Sequence, residues 1–160
     1  MVFVTLGNQD FQFKRLLTNL EKLKLKGVIN QEIIAQIGHT VFESDYMEIR
    51  EFLSHEEFNQ LMNEADFIIC HAGTGSIVNA IKRKKKVIVA ARLAKYKEHI
   101  DDHQQEIKIA FEKKQYILGT NNEMTDLEEK MKMIKQFEPK EFVSNNENFN
   151  NQLVSIIKGL

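Results

Sequence analysis

The stretch with the most chemistry in it runs Phe67-Ile68-Ile69-Cys70-His71-Ala72-Gly73-Thr74-Gly75-Ser76-Ile77-Val78-Asn79-Ala80. Phe67 to Cys70 reads as a buried strand, and the residues after the glycines read as a helix to about Arg83. The first turn of a helix has unpaired N–H groups and the positive end of the dipole, so it attracts anions. Gly73 and Gly75 let backbone approach a ligand closely, and Thr74 and Ser76 add hydroxyls. His71, at the strand tip, can donate to a phosphate oxygen, which makes a diphosphate the natural guest. Two better-known phosphate motifs do not fit. No third glycine completes a dinucleotide fingerprint, and no Gly-Lys-Ser/Thr closes a P-loop. Gly-x-Gly alone also fits a βα turn that binds nothing; the histidine and hydroxyls beside it favour the anion.

A second cluster is Glu98-His99-Ile100-Asp101-Asp102-His103-Gln104-Gln105-Glu106. Read as helix, it puts His99, Asp102, His103 and Glu106 on one face. These residue types and spacings permit a metal site, a solvated polar face, or donors and acceptors for a ribose or hexose. The last is the better fit, and no metal and no cofactor are expected.

Elements on either side must hold these clusters. Val2–Leu6 reads as a strand stopping at Gly7, and Phe11–Leu25 as a helix with Phe13, Leu16, Leu17, Leu20 and Leu23 on one face. Glu32–Gly38 reads as a strand and Tyr46–Leu53 as a weaker one. Ser54 with Glu57 forms a capping box that opens a helix to about Ala65. Val87–Ala90 and Tyr116–Leu118 read as strands, Glu98–Lys113 and Met124–Phe137 as helices. Pro139 and Ser144-Asn145-Asn146 form a break before a last helix at about 148–159, which could pack on its own sheet or dock on a partner. The strands are short and apolar without strict alternation, so both sheet faces are covered. The expected architecture is one α/β Rossmann-like domain over residues 1–160 with about six parallel strands.

Composition agrees. The chain has 160 residues, 42% hydrophobic and 28% charged, with a net charge of −1. That length buries roughly 70% of the unfolded chain's surface in one domain. Balanced charge gives no drive toward nucleic acid, and no apolar run approaches the ~20 residues of a membrane span. The single cysteine, Cys70, reads as an inert core residue of a cytosolic protein. Lys82-Arg83-Lys84-Lys85-Lys86 is either a solvated helix end or a patch drawn to an anionic membrane surface.

His71-Ala72-Gly73-Thr74-Gly75-Ser76, a short strand, then Asp101-Asp102-His103-Gln104 resembles the glycosyltransferase family 28 C-terminal domain, the nucleotide-sugar-binding half of GT-B enzymes. Val2 to Gly7 with Gln9 and Phe13, Ile37-Gly38, Phe52 to Glu57, and Tyr116 to Gly119 extend the likeness over nearly the whole chain. Within the family it is similar to the small subunits of two-part enzymes: bacterial exopolysaccharide and capsule pairs, and the eukaryotic pair acting on a dolichol-linked precursor. The resemblance implies that His71, Gly73, Thr74, Gly75 and Ser76 hold the donor diphosphate. Asp102, His103 and Gln104 would contact the sugar, Asn79 would lie at the ribose, and Gly7, Asn8 and Gln9 would form a cleft loop. It implies a UDP-sugar donor, inverting hexosyl transfer to a lipid-linked acceptor for surface polysaccharide, and a membrane-anchored, acceptor-binding partner that brings the general base. This chain would then be cytoplasmic and recruited to the inner face of the membrane. A non-catalytic accessory subunit is the alternative. Several positions depart from the pattern: Asn8 stands for threonine, Asn79 for glutamate, Lys84 and Lys97 for glycine, and Ala91 for proline.

Overall fold

A computed structural model describes residues 1–143 and 146–158. Six parallel strands form one sheet: β1 (Val2–Thr5), β2 (Ile33–Gln36), β3 (Glu48–Arg50), β4 (Phe67–His71), β5 (Val87–Ala90) and β6 (Leu118–Gly119). Their order is β3-β2-β1-β4-β5-β6. The helices are α1 (Lys14–Leu25), α2 (His55–Glu64), α3 (Thr74–Lys82), α4 (His103–Lys113), α5 (Leu127–Met133) and α6 (Glu147–Lys158). The strand order reverses direction between β1 and β4, and open α/β sheets of this order bind ligands at the carboxyl ends of the strands beside that point.

The missing alternation in the strands has a direct cause: both faces are apolar. Val2, Val4, Ile69 and Ile88 point into one layer with Leu16, Leu17 and Leu20 of α1 and Leu127 and Met131 of α5. Phe3, Ile68, Cys70, Val87 and Val89 point into the other, with Ile77 of α3, Phe111 of α4 and Phe149 of α6. Burial pushes the Cys70 thiol up to about 12, so it stays protonated and inert. The last helix packs on its own chain: Phe149 meets Phe111 and Tyr116 edge-on at 5.0 and 5.5 Å. Ser144 and Asn145 of the expected break, and the expected helix end at 159, lie outside the described residues.

Five boundaries differ from the sequence reading; the helix expected from Phe11 starts at Lys14, with Phe13 as its N-cap. The helix expected from Glu98 starts only at His103. A 3-10 turn at Ala94–Tyr96 ends in Lys97 at φ +58°, and the chain folds back so that the Glu98 N–H reaches the Leu93 carbonyl. His99 and Asp102 therefore precede the helix, and the expected four-residue face does not exist. The strand at Tyr116 is delayed to Leu118, because the Tyr116 N–H still closes α4 onto the Phe111 carbonyl. The strand expected over Tyr46–Leu53 is only Glu48–Arg50, and the helix expected over Met124–Phe137 is only Leu127–Met133. The capping box is present: Ser54 Oγ accepts from the Glu57 N–H at 3.1 Å, and Glu57 accepts from the Ser54 N–H at 3.0 Å. Among the described residues no helix is long and apolar enough to cross a membrane.

Candidate functional site

The site grows from the end of β4. His71 is its last residue, 4% exposed, and α3 begins three residues later with Gly73 as N-cap. No side chain caps this helix. The Ile77 N–H makes the first helical bond, to the Gly73 carbonyl at 3.1 Å. The N–H groups of Thr74, Gly75 and Ser76 are thus left without acceptors among the described residues, at the positive end of the α3 dipole.

The two outer glycines serve the histidine. A Cβ at Gly7 would lie 2.5 Å from His71 Nε2, and one at Gly73 would lie 2.5 Å from Cε1. The imidazole is clasped between two backbones, and Gly7 also needs its φ of +73° to turn the chain out of β1. Gly75 is different. A Cβ there meets nothing within 4 Å and its φ is not positive. The fold makes no demand for glycine at this position.

Gln104 fixes the histidine's protonation. Its Oε1 accepts from the backbone N–H of Ala72 at 3.2 Å and of Arg92 at 3.1 Å. Its Nε2 must then face His71 Nδ1, 3.2 Å away, as donor. Nδ1 is the acceptor, so the ring proton sits on Nε2, which faces Ser76 Oγ at 3.4 Å. Burial first, then the charge of Arg92 and then His99, push the His71 pKa down to about 3. The ring is a neutral Nε2–H donor at physiological pH.

Sequence reasoning missed Arg92, a fully buried cation. Its guanidinium donates to the carbonyls of Leu6 at 2.6 Å, Phe11 at 2.9 Å and Glu98 at 3.2 Å, and lies 5.1 Å from the Phe13 ring centroid. Its Nε has no partner among the described residues. Burial lowers its pKa to about 10, opposed by Glu98, so it stays charged at neutral pH. Glu98 is in turn paired with Arg15 at 2.9 Å and accepts from the Leu93 N–H at 3.0 Å. The available signal was an arginine two residues past β5, at the carboxyl edge of the sheet.

The cleft above the α3 terminus is lined by Gly7, Asn8, Gln9, His71, Gly73, Gly75, Ser76 and Asn79, with Phe58; of the expected diphosphate residues, Thr74 alone is not in this lining. Gln9 is held by His99, Nε2 to Nε2 at 3.3 Å, and Asn79 Oδ1 accepts from Arg83 Nε at 2.8 Å. The expected sugar-binding trio is not among these lining residues. Gln104 is turned inward to His71. Asp102, just before α4, accepts from the Ala94 N–H at 2.9 Å. His103 contacts Glu106 at 3.2 Å and shares a groove with Gln152 and Ser155 of α6. Among the described residues no three His, Cys, Asp or Glu side chains are grouped to hold a metal ion.

The sequence profile of the glycosyltransferase family 28 C-terminal domain matches residues 1–160. The chain belongs to that family. Among curated relatives it is 32% identical over 127 residues to the UDP-N-acetylglucosamine transferase subunit ALG13 of Candida albicans, covering 76% of this chain and 37% of the relative. It is 29% identical over 119 residues to the same-named subunit of Candida glabrata, covering 74% and 57%. The chain thus spans between about a third and somewhat over half of the length of these relatives. Among solved structures, an NMR structure of ALG13 superposes with a TM-score of 0.58 at 21% identity, covering 98% of this chain and 96% of that one. The glycosyltransferase SnogD from Streptomyces nogalater superposes with a TM-score of 0.56 at 14% identity, covering 98% and 38%. At these identities the structural likeness shows the fold: the C-terminal Rossmann-like half of a GT-B glycosyltransferase.

Proposed function

We propose that this family 28 domain is the donor-binding subunit of a two-component, inverting glycosyltransferase. The observation that carries the reading is the uncapped start of α3: three unpartnered N–H groups beside a histidine whose Nε2–H faces the Ser76 hydroxyl of the same turn. The donor diphosphate would sit there, held by Thr74, Gly75 and Ser76 with His71, while Asn8, Gln9 and Asn79 edge the nucleoside and sugar. In the transfer, the bond from the sugar's anomeric carbon to the diphosphate oxygen breaks and its electron pair leaves with the nucleoside diphosphate. The acceptor oxygen bonds that carbon from the opposite face and gives its proton to a base. The charge developing on the leaving group meets N–H donors and a helix dipole already in place; loss of one such donor typically costs about 10²–10³ in rate.

The acceptor site, the base and the membrane anchor are assigned to a second subunit, and this chain would work at the cytoplasmic face. The relatives' name, UDP-N-acetylglucosamine transferase subunit, favours an N-acetylhexosamine donor. The expected exopolysaccharide or capsule setting draws no support from these relatives. One observation favours the accessory alternative: Asn79, in place of a ribose-binding carboxylate, already spends its Oδ1 on Arg83.

The test is a titration of the chain with UDP and a panel of UDP-sugars, following backbone amides by NMR. Saturable shifts at Thr74, Gly75 and Ser76 that weaken in His71→Ala support the donor site. Binding restored only by the partner subunit, and lost again in His71→Ala, means a shared site. Binding indifferent to His71 contradicts the assignment.

A further inference from the structure

The opposite edge of the sheet carries a second polar groove. Of the basic run after α3, three residues are spent on this chain. Arg83 donates to Asn59, Asn63 and Asn79, Lys85 to the carbonyls of Asn63 and Ala65, and Lys86 to the carbonyl of Lys135. They close the ends of α2 and α5, so the run is not a free cationic patch. Lys82 and Lys84 are different, as is Lys140: none has a side-chain hydrogen bond or ion pair among the described residues. All three are solvent-exposed and, with Lys85, line a cavity of about 300 Å³ that they share with Tyr116, Glu141 and Phe142. That volume is at the lower end of sites that take small molecules.

Two further features mark the groove as built. Tyr116 is 5% exposed and lines the groove, and its hydroxyl stays open to solvent with no hydrogen bond to the chain among the described residues, free to donate to a ligand there. Lys84 is held at φ +61°, where its N–H and that of Lys85 close α3 onto the carbonyls of Ile81 and Ala80. Glycine takes that position without strain, so a lysine there costs stability and adds a charge at the rim. The far wall is fixed too. The Lys140 N–H donates to the Gln115 carbonyl at 3.0 Å, and Phe142 packs edge-on against Tyr116 at 5.3 Å.

We propose that this groove is a second anion site, separate from the donor cleft, and that it takes a phosphate monoester. Four lysines, Lys82, Lys84, Lys85 and Lys140, line the groove against the one carboxylate of Glu141, an excess of positive charge that favours the phosphate dianion present at neutral pH. The Tyr116 hydroxyl supplies a neutral donor and Phe142 an apolar edge for whatever the phosphate is attached to. That chemistry is shared by a soluble phosphorylated metabolite and by the headgroup of an anionic lipid.

The test has two arms on the full chain. In the first, inorganic phosphate is titrated against the wild type and the double variant Lys84→Gly/Lys140→Gln, with backbone amides followed by NMR. Saturable shifts at Lys84, Tyr116 and Lys140 are expected, at least about tenfold weaker in the double variant, with any shift at Gly75 unchanged. Tyr116→Phe, which leaves the lysines in place, should weaken the same shifts. In the second arm, sedimentation with phosphatidylcholine vesicles containing phosphatidic acid separates the sources. Binding lost in the double variant points to a lipid headgroup; phosphate binding without vesicle binding points to a soluble ligand. Shifts absent from the groove, or equal in wild type and double variant, overturn the proposal, as does vesicle binding that survives the double variant without a phosphate shift.

Discussion

Gln104 Nε2 donates to His71 Nδ1 across 3.2 Å, and the other end of the same amide holds the N–H groups of Ala72 and Arg92. One side chain therefore ties the ends of β4 and β5 together and decides which imidazole nitrogen carries the proton. The 15N spectrum of His71 should show a single neutral tautomer, protonated at Nε2, unchanged from pH 8 to about 5. Gln104→Leu strips partners from three buried polar groups and should cost at least about 3 kcal/mol in urea unfolding. A loss near zero would remove Gln104 from this role.

His71 also sets a pH dependence. Its pKa is about 3 in the folded chain against 6.5 unfolded. Between these values the unfolded chain binds a proton that the folded chain does not, so stability falls as pH falls. The slope from this residue is about 1.4 kcal/mol per pH unit. Urea midpoints from pH 7 to 4.5 should drop more steeply for wild type than for His71→Asn, which lacks the group. Parallel slopes would contradict the burial of a neutral imidazole.

The helix ends give a stability prediction independent of function. Three helices close in the same way, with the N–H groups of the two residues after the cap bonded back into the last turn. α1 does this through Gly27 at φ +78°, α3 through Lys84 at +61° and α4 through Gln115 at +61°. Lys84→Gly and Gln115→Gly should each stabilise by about 1 kcal/mol, and Gly27→Ala should destabilise by about the same. Thermal melts of the three variants check this, and equal signs would contradict it.

Much of this fold could be read before any coordinates. The apolar runs at Val2, Ile33, Phe67 and Val87 became adjacent strands because each is too short and too uniformly apolar to be anything else inside a two-layered domain. The Ser54–Glu57 box is local chemistry and was read directly. The resemblance expected glycine at positions 84 and 97; lysine stands at both, and the backbone keeps the positive φ a glycine would have. What could not be read was non-local. The start of α4 depends on Glu98 being drawn to Arg15, 83 positions away, and to the Leu93 N–H. No periodicity in Glu98–Glu106 reports that. Nor does any periodicity report that Gln104 is the partner of His71, 33 positions away.

The three glycines of the site divide by what they serve. Gly7→Ala and Gly73→Ala drive a methyl into the His71 ring, 2.5 Å from its nearest atom, and should destabilise by about 1–3 kcal/mol through overpacking. Gly75→Ala meets open space inside a helix and should leave stability equal or raise it by up to about 1 kcal/mol. Denaturant unfolding of the three variants separates the two classes.

That contrast supplies the most direct test of the central claim, that the start of α3 holds a nucleoside diphosphate. UDP is titrated calorimetrically into wild type and Gly75→Ala, with the partner subunit present if the chain alone does not bind. The account predicts that the variant is at least as stable as wild type and binds UDP at least about tenfold more weakly, because the added methyl stands where the phosphate must approach the backbone. Equal affinity in the two proteins would place the diphosphate elsewhere and contradict the account.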